Sequence, residues 1–116
     1  MPAQKTLREW GYYRIIHEVP GLKVKELTVD PGKHLSMQKH QDRAELWFVA
    51  VGEATVSEYS RVYPTAIQTP HLPTHSTHRI PKQQWHQLSN PYSTPCRIIE
   101  IQYGDACNED DIERRE

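Results

Sequence analysis

The chain has 116 residues, with 14 Lys and Arg against 15 Asp and Glu and a formal net charge of -1. That balance excludes the strongly basic surface of a nucleic-acid binder or of a protein held on anionic membranes, and the length suits one hydrophobic core rather than two. No apolar run approaches the length of a membrane span, the polar start MPAQKTLREWG does not read as a signal peptide, and Cys96 and Cys107 have no metal-type spacing; the expectation is a single cytoplasmic domain over residues 1–116 with reduced thiols.

Strand signals dominate from the start. YYRIIHEVPG, residues 12–21, is a β-prone run closed by a Pro-Gly turn. LKVKELTVDPG follows, placing Leu22, Val24, Leu27 and Val29 among lysines and glutamate before a second turn at Asp30-Pro31-Gly32. Residues 33–40 and 45–51 read as two further strands around the polar tetrad at 41–44, and GEATVSEYS continues the pattern. The continuous run LWFVAV, residues 46–51, reads as a strand buried on both faces, which in a small barrel predicts a partner sheet or a homodimer contact. Residues 61–78 are crowded with proline, threonine and histidine and read as an irregular loop with at most one short strand. CRIIEIQYG, residues 96–104, is again strongly β-type, and the acidic tail 108–116 reads as flexible or as a single helical turn. Many short strands spaced by turns make an all-β barrel or sandwich.

One feature resists a purely structural reading. Gln38, His40 and Glu45 interrupt strand-like sequence, and a buried polar side chain is costly unless something satisfies it. Residues two apart on a strand face the same side, so Gln38 and His40 project together. If residues 41–44 turn a hairpin, Glu45 returns beside His40. His86, after the turn-like IPKQQ, supplies a second imidazole. Two imidazoles, a carboxylate and an amide oxygen suit one divalent transition metal: zinc, manganese, iron, cobalt or nickel.

These residues carry a resemblance. P-G-x5-Q-x-H-x4-E-x6-G, from Pro31 to Gly52, resembles the first cupin motif with Gln in place of its first His, and Pro81, His86 and Asn90 resemble the second. REWGYY, GLKVKELTVDPGKHLSMQKHQDRAELW and EIQYGDACNEDDIER extend the likeness to the C-terminal isomerase domain of type II mannose-6-phosphate isomerases, over nearly the whole chain except residues 61–78. The resemblance implies a cupin-type double-stranded β-helix, a jelly-roll barrel. It implies metal ligands at Gln38, His40, Glu45 and His86, and a catalytic arginine at Arg43 that serves the sugar phosphate or the transition state. It further implies conversion of mannose 6-phosphate to fructose 6-phosphate in sugar-nucleotide and polysaccharide precursor metabolism, with a small-molecule sugar phosphate as partner and neither nucleic acid nor membrane. Two positions depart from the family: Leu46 stands where it usually has His, and Gln83 where it usually has Gly in the turn that delivers His86.

Blander readings stand beside these. A lone strand histidine is ordinarily a hydrogen-bonded structural residue, an arginine in a turn is ordinarily a solvated charge, and Trp47 and Trp85 read as packing. His71, His75 and His78 form a tempting second cluster, but the proline and threonine around them give it no fixed scaffold, and a solvated loop is the expectation. Two other functions fit the same residues. Two His and a carboxylate also make the iron site of a small cupin dioxygenase, and a sugar-phosphate-binding cupin without catalysis needs no turnover chemistry.

Overall fold

The computed structural model describes residues 4–59, 67–105, 107 and 112–115. Among them the elements are β1 (Thr6–Arg8), β2 (Gly11–Val19), β3 (Leu22–Val29), β4 (Met37–His40), β5 (Arg43–Val51), β6 (Ala54–Tyr59), β7 (Ile67–Gln68), β8 (His71–Leu72), β9 (Thr77–Ile80), β10 (His86–Ser89), β11 (Cys96–Gly104) and β12 (Ile112–Arg115). Two antiparallel sheets face each other. One runs β1-β2-β3-β11-β5-β9, the other β12-β4-β10-β6-β7 with β8 also on β6. This is the cupin-type double-stranded β-helix, and the strands expected at LKVKELTV and CRIIEIQYG have the bounds read from sequence.

The inward side chains are graded along the strands. In the register of β3, β11 and β5, Val29 lies opposite Cys96, and Leu27, Ile98 and Val49 form the next row. These are core residues, joined by Ile80 on β9 of the same sheet and by Ala54, Val56, Leu72 and Leu88 from the other. One step further the row is Lys25, Glu100 and Trp47, then Lys23, Gln102 and Glu45. Period-2 alternation turns all of these inward. The barrel therefore has an apolar end that holds the fold together and a polar end, buried as well, where the polar groups need partners.

Two glycines hold corners that no other residue fits. Gly52 opens the β5–β6 connection at φ 75°, and a Cβ there would lie 2.6 Å from the Pro95 carbonyl oxygen. Gly104 ends β11, where a Cβ would lie 2.5 Å from the Asp42 carbonyl oxygen. The second close approach lets β11 end against the corner between β4 and β5.

Four expectations are corrected. Residues 41–44 do not turn a hairpin: β4 pairs with β10 and β12 while β5 pairs with β11 and β9, so Gln41 and Asp42 form a corner that carries the chain from one sheet to the other. LWFVAV is not buried on both faces within the chain. Trp47 and Val49 point inward, whereas Phe48 and Val51 on the outer face are exposed. The 61–78 segment is more regular than its composition suggested. Residues 60–66 lie outside the described residues, but β7, β8 and part of β9 follow, divided by prolines into pieces short enough to pair with β6 and β5. Of the tail, residues 108–111 and 116 lie outside the described residues, and 112–115 form β12, a strand on the edge of β4. Its Arg115 lies over the rings of Trp85 and Tyr59, a cation–π contact that adds to the pairing with β4 and to the contacts of Glu113 with Gln41 and Lys39 in docking so polar a strand.

Candidate metal centre

The polar end brings three ligand-type side chains together. His40 ends β4, Glu45 lies near the start of β5 and His86 begins β10, and one ligand atom from each lies within 4.8 Å of the others. His40 Nε2 is 3.2 Å from Glu45 Oε2, and His86 Nε2 is 3.4 Å from Glu45 Oε1. All three are buried. His86 is oriented from behind, its Nδ1–H donating to the Gln84 carbonyl at 2.8 Å, which leaves Nε2 turned toward Glu45. A ring nitrogen tied to backbone in this way is the usual support of a metal-binding histidine. The ring of Trp47 meets that of His86 edge-on at 5.8 Å and limits its rotation.

The turn before His86 is held to the same strand as His40. The Gln83 N–H donates to the His40 carbonyl at 2.7 Å. Gln83 adopts φ 63°, the left-handed conformation that glycine ordinarily supplies. The Gly-to-Gln departure is thus absorbed by the backbone, and His86 still arrives beside Glu45. Leu46 faces away from the site, as alternation requires. Asn90, fully buried, does not reach the centre. Its side chain bonds the Val29 and Thr94 carbonyls and fixes the β10–β11 connection to the end of β3.

Burial by itself would raise the Glu45 carboxyl, but hydrogen bonds from His40 and His86 and their charges outweigh it and hold the group well below the usual carboxylate range. Burial likewise opposes a charge on His86, yet the hydrogen bond and charge of Glu45, with the Gln84 carbonyl, leave it raised. Arg43 is no solvated turn residue. It is buried in β5, with Nη2 3.1 Å from His40 Nε2 and 3.4 Å from Glu45 Oε2. Gln38 lies opposite His86 in the β4–β10 register, its amide nitrogen on the Ser36 carbonyl and hydroxyl, and it lines the same cavity as Arg43 and Glu45.

Two buried imidazoles and a carboxylate, one imidazole oriented from behind and an amide at hand, fit a divalent transition metal on donor type, burial and convergence. The other histidines make no second group of this kind among the described residues. His71 pairs with Glu53 at 2.7 Å, His78 with Glu58, and the ring of His75 stacks on Phe48.

One wall of the site lies outside the motif residues. Glu100 and Gln102 sit on β11 facing the cavity, which has a volume of about 500 Å³ and reaches from Trp10 and His34 down to Glu45. Burial first, then the charge of Glu45, push the Glu100 carboxyl up to about 7 against the opposing effects of Lys25, Gln102 and Arg43. The signal was present in CRIIEIQYG as a polar interruption, Glu-x-Gln, of an otherwise apolar inward face.

Comparison with known proteins agrees with this architecture. The family described as mannose-6-phosphate isomerase C-terminal matches residues 2–116. The alginate biosynthesis protein AlgA of Pseudomonas aeruginosa is 40% identical over 113 residues, covering 97% of this chain and 22% of that protein. The mannose-1-phosphate guanylyltransferase RfbM of Salmonella typhimurium is 38% identical over 113 residues, with 97% and 22% covered. The chain thus spans about a fifth of the length of these relatives. Among solved structures, the capsular polysaccharide assembling protein CapF of Staphylococcus aureus superposes with a TM-score of 0.85 at 18% identity, over 99% of this chain and 34% of CapF. A double-stranded β-helix protein of Klebsiella pneumoniae gives 0.73 at 16% identity, over 89% and 82%. Both show the fold.

Proposed function

The chain belongs to the mannose-6-phosphate isomerase C-terminal family, and on that premise we propose that it interconverts mannose 6-phosphate and fructose 6-phosphate with one divalent transition metal held by Gln38, His40, Glu45 and His86. The observation that carries the proposal is the buried His40–Glu45–His86 group, whose Glu45 lines a cavity of about 500 Å³ together with Gln38 and Arg43, a volume in the range of small-molecule sites. A divalent metal there would act as a Lewis acid, polarising the carbonyl of the open-chain sugar and favouring loss of the neighbouring proton. Glu45 supplies the one carboxylate of the ligand set, and a metal would take the two imidazoles in their neutral form.

Arg43 has a role set by its position. Its guanidinium touches the ligand atoms of His40 and Glu45 and also lines the cavity, so it stands ready for negative charge that develops on a sugar oxygen. Arg8, His34 and Arg114 border the same cavity and offer cationic or hydrogen-bonding partners to a phosphate. The relatives named for alginate biosynthesis and for mannose-1-phosphate guanylyl transfer support a place in the cytoplasmic supply of polysaccharide precursors. A homodimer through the exposed Phe48 and Val51 belongs to the same reading, and a monomeric mass at micromolar protein would remove it.

The deciding experiment is turnover of mannose 6-phosphate after stripping the protein and restoring one divalent metal at a time. Metal-dependent turnover supports the isomerase. Saturable sugar-phosphate binding without turnover under any metal would replace it with a binding module, and iron-dependent oxygen uptake with a dioxygenase.

A further inference from the structure

We propose that Glu100 is the group that carries the proton between the two carbons of the sugar, and that Gln102 holds it in place while accepting a hydrogen bond from a sugar hydroxyl. The inference rests on the isomerase reading above and adds to it a base that the motif residues do not provide.

Position comes first. Glu100 and Gln102 alternate inward on β11, on the row beside Trp47 and the row beside Glu45, and both line the cavity that reaches Glu45 and Arg43. Both are buried, so neither is a solvated surface group. The Glu100 carboxylate is held at both oxygens: Trp47 Nε1–H donates to Oε2 at 3.0 Å and Gln102 Nε2–H donates to Oε1 at 2.6 Å. Each oxygen keeps a further lone pair. Gln102 Oε1 is buried with no hydrogen-bond partner among the described residues. A buried acceptor without a partner, on a residue beside the cavity, calls for a donor, and a polyhydroxylated sugar brings several.

The choice of residue also argues for chemistry. Trp47 and Gln102 need only an acceptor, which a neutral amide would provide. A second acid in the interior shared with Glu45 is electrostatically unfavourable and only partly offset by Lys25, which lies opposite Glu100 on β3, and such an arrangement is characteristic of groups that exchange protons.

The step balances without another reagent. The Glu100 carboxylate removes the C2 hydrogen of open-chain mannose 6-phosphate as a proton. The C2–H electron pair becomes the C1–C2 double bond, and the carbonyl pair moves onto O1. A proton passes from O2 to O1, the O2 electron pair forms the new C2 carbonyl, and C1 takes the proton back from the Glu100 carboxyl. Bonded neighbours lie close enough for one carboxyl to serve both. Nothing is oxidised or reduced overall.

The test compares wild type, Glu100→Gln and Glu100→Asp, each reconstituted with the same metal. Three quantities are read: bound metal, affinity for mannitol 1-phosphate, which has no carbonyl to isomerise, and deuterium entry at C1 of fructose 6-phosphate formed in heavy water. Glu100→Gln should lose turnover and deuterium entry by about 100- to 10,000-fold, the usual worth of general acid–base catalysis, with metal content and mannitol phosphate affinity unchanged. If Glu100→Gln does not fold, Glu100→Asp decides, its retracted carboxyl slowing exchange at least about tenfold with binding retained. Exchange at wild-type rate in a folded variant overturns the proposal. So does loss of metal or mannitol phosphate binding in step with exchange, which would make Glu100 a structural residue. A wild type that neither turns over nor exchanges with any metal overturns the isomerase reading and the base with it.

Discussion

His40 and Glu45 belong to different sheets, yet His40 Nε2 lies 3.2 Å from Glu45 Oε2. The corner at Gln41 and Asp42 achieves this by carrying the chain across the sandwich, and Gly104 allows β11 to end against it. The site is therefore a joint between the two sheets. A metal held there would ligate both, so its removal should lower stability as well as abolish activity. Thermal denaturation with and without a chelator checks this, and a transition unaffected by chelation would argue against a metal at the joint.

His86 reaches the centre from a third strand, with its ring already oriented by the Gln84 carbonyl. His86→Ala should cost metal affinity well beyond the roughly 10- to 100-fold typical of losing an outer hydrogen-bond partner. His71→Ala, at a half-exposed histidine paired with Glu53, should leave bound metal unchanged. Metal analysis of both variants after dialysis separates the proposed site from the histidine-rich loop. Equal losses, or none in His86→Ala, would remove His86 from the ligand set.

Arg43 presents its guanidinium to the same atoms a metal would use, His40 Nε2 and Glu45 Oε2. Its positive charge competes with a dication for them. Arg43→Gln should raise metal affinity by roughly tenfold, about 1.4 kcal/mol, while turnover falls. Metal titration beside steady-state kinetics reads the two effects separately. A parallel loss of both would mean that Arg43 supports the site structurally.

Gln83 holds a left-handed conformation beside His40. A side-chain-bearing residue there is strained by roughly 1–2 kcal/mol, partly offset by the extra freedom glycine gives the unfolded chain. Gln83→Gly retains the N–H that bonds the His40 carbonyl, so it should stabilise the protein by up to about 1 kcal/mol and raise Tm by about 4 °C. A lower Tm would show that the Gln83 side chain contributes more than the strain costs.

Much of this molecule was legible from residue order, and the rest was hidden for identifiable reasons. β3 and β11 stand out because their β-prone runs end in turn residues. Gln38, His40, Glu45 and His86 stand out because polar groups recur at fixed spacing in strand-like sequence. The hairpin expectation failed at Gln41 and Asp42 because a tight turn within a sheet and a corner between sheets use similar residues; only the pairing partners of β4 and β5 distinguish them. β12 was missed because the strand is polar and is held by the rings of Trp85 and Tyr59, from elsewhere in the chain. Glu100 was missed because its significance lies in its neighbours Trp47, Gln102 and Glu45, brought together by register alone.

Those neighbours also predict a pH dependence. Glu100 is pushed from the usual 4.5 up to about 7, by burial first and then by the charge of Glu45. Between those values the folded protein keeps a proton that the unfolded chain releases, so this group's contribution to stability declines as pH rises from about 4.5 through 7. The whole effect is about 3 kcal/mol. Glu100→Gln removes it, so in metal-free protein the variant should gain about that much on wild type between pH 4.5 and pH 8. Restoring a divalent metal at Glu45 would offset the charge that raises Glu100 and should shrink the difference. Urea denaturation at the two pH values, with chelator and then with metal, measures both effects. A difference independent of pH would mean that Glu100 is ionised in the fold throughout this range.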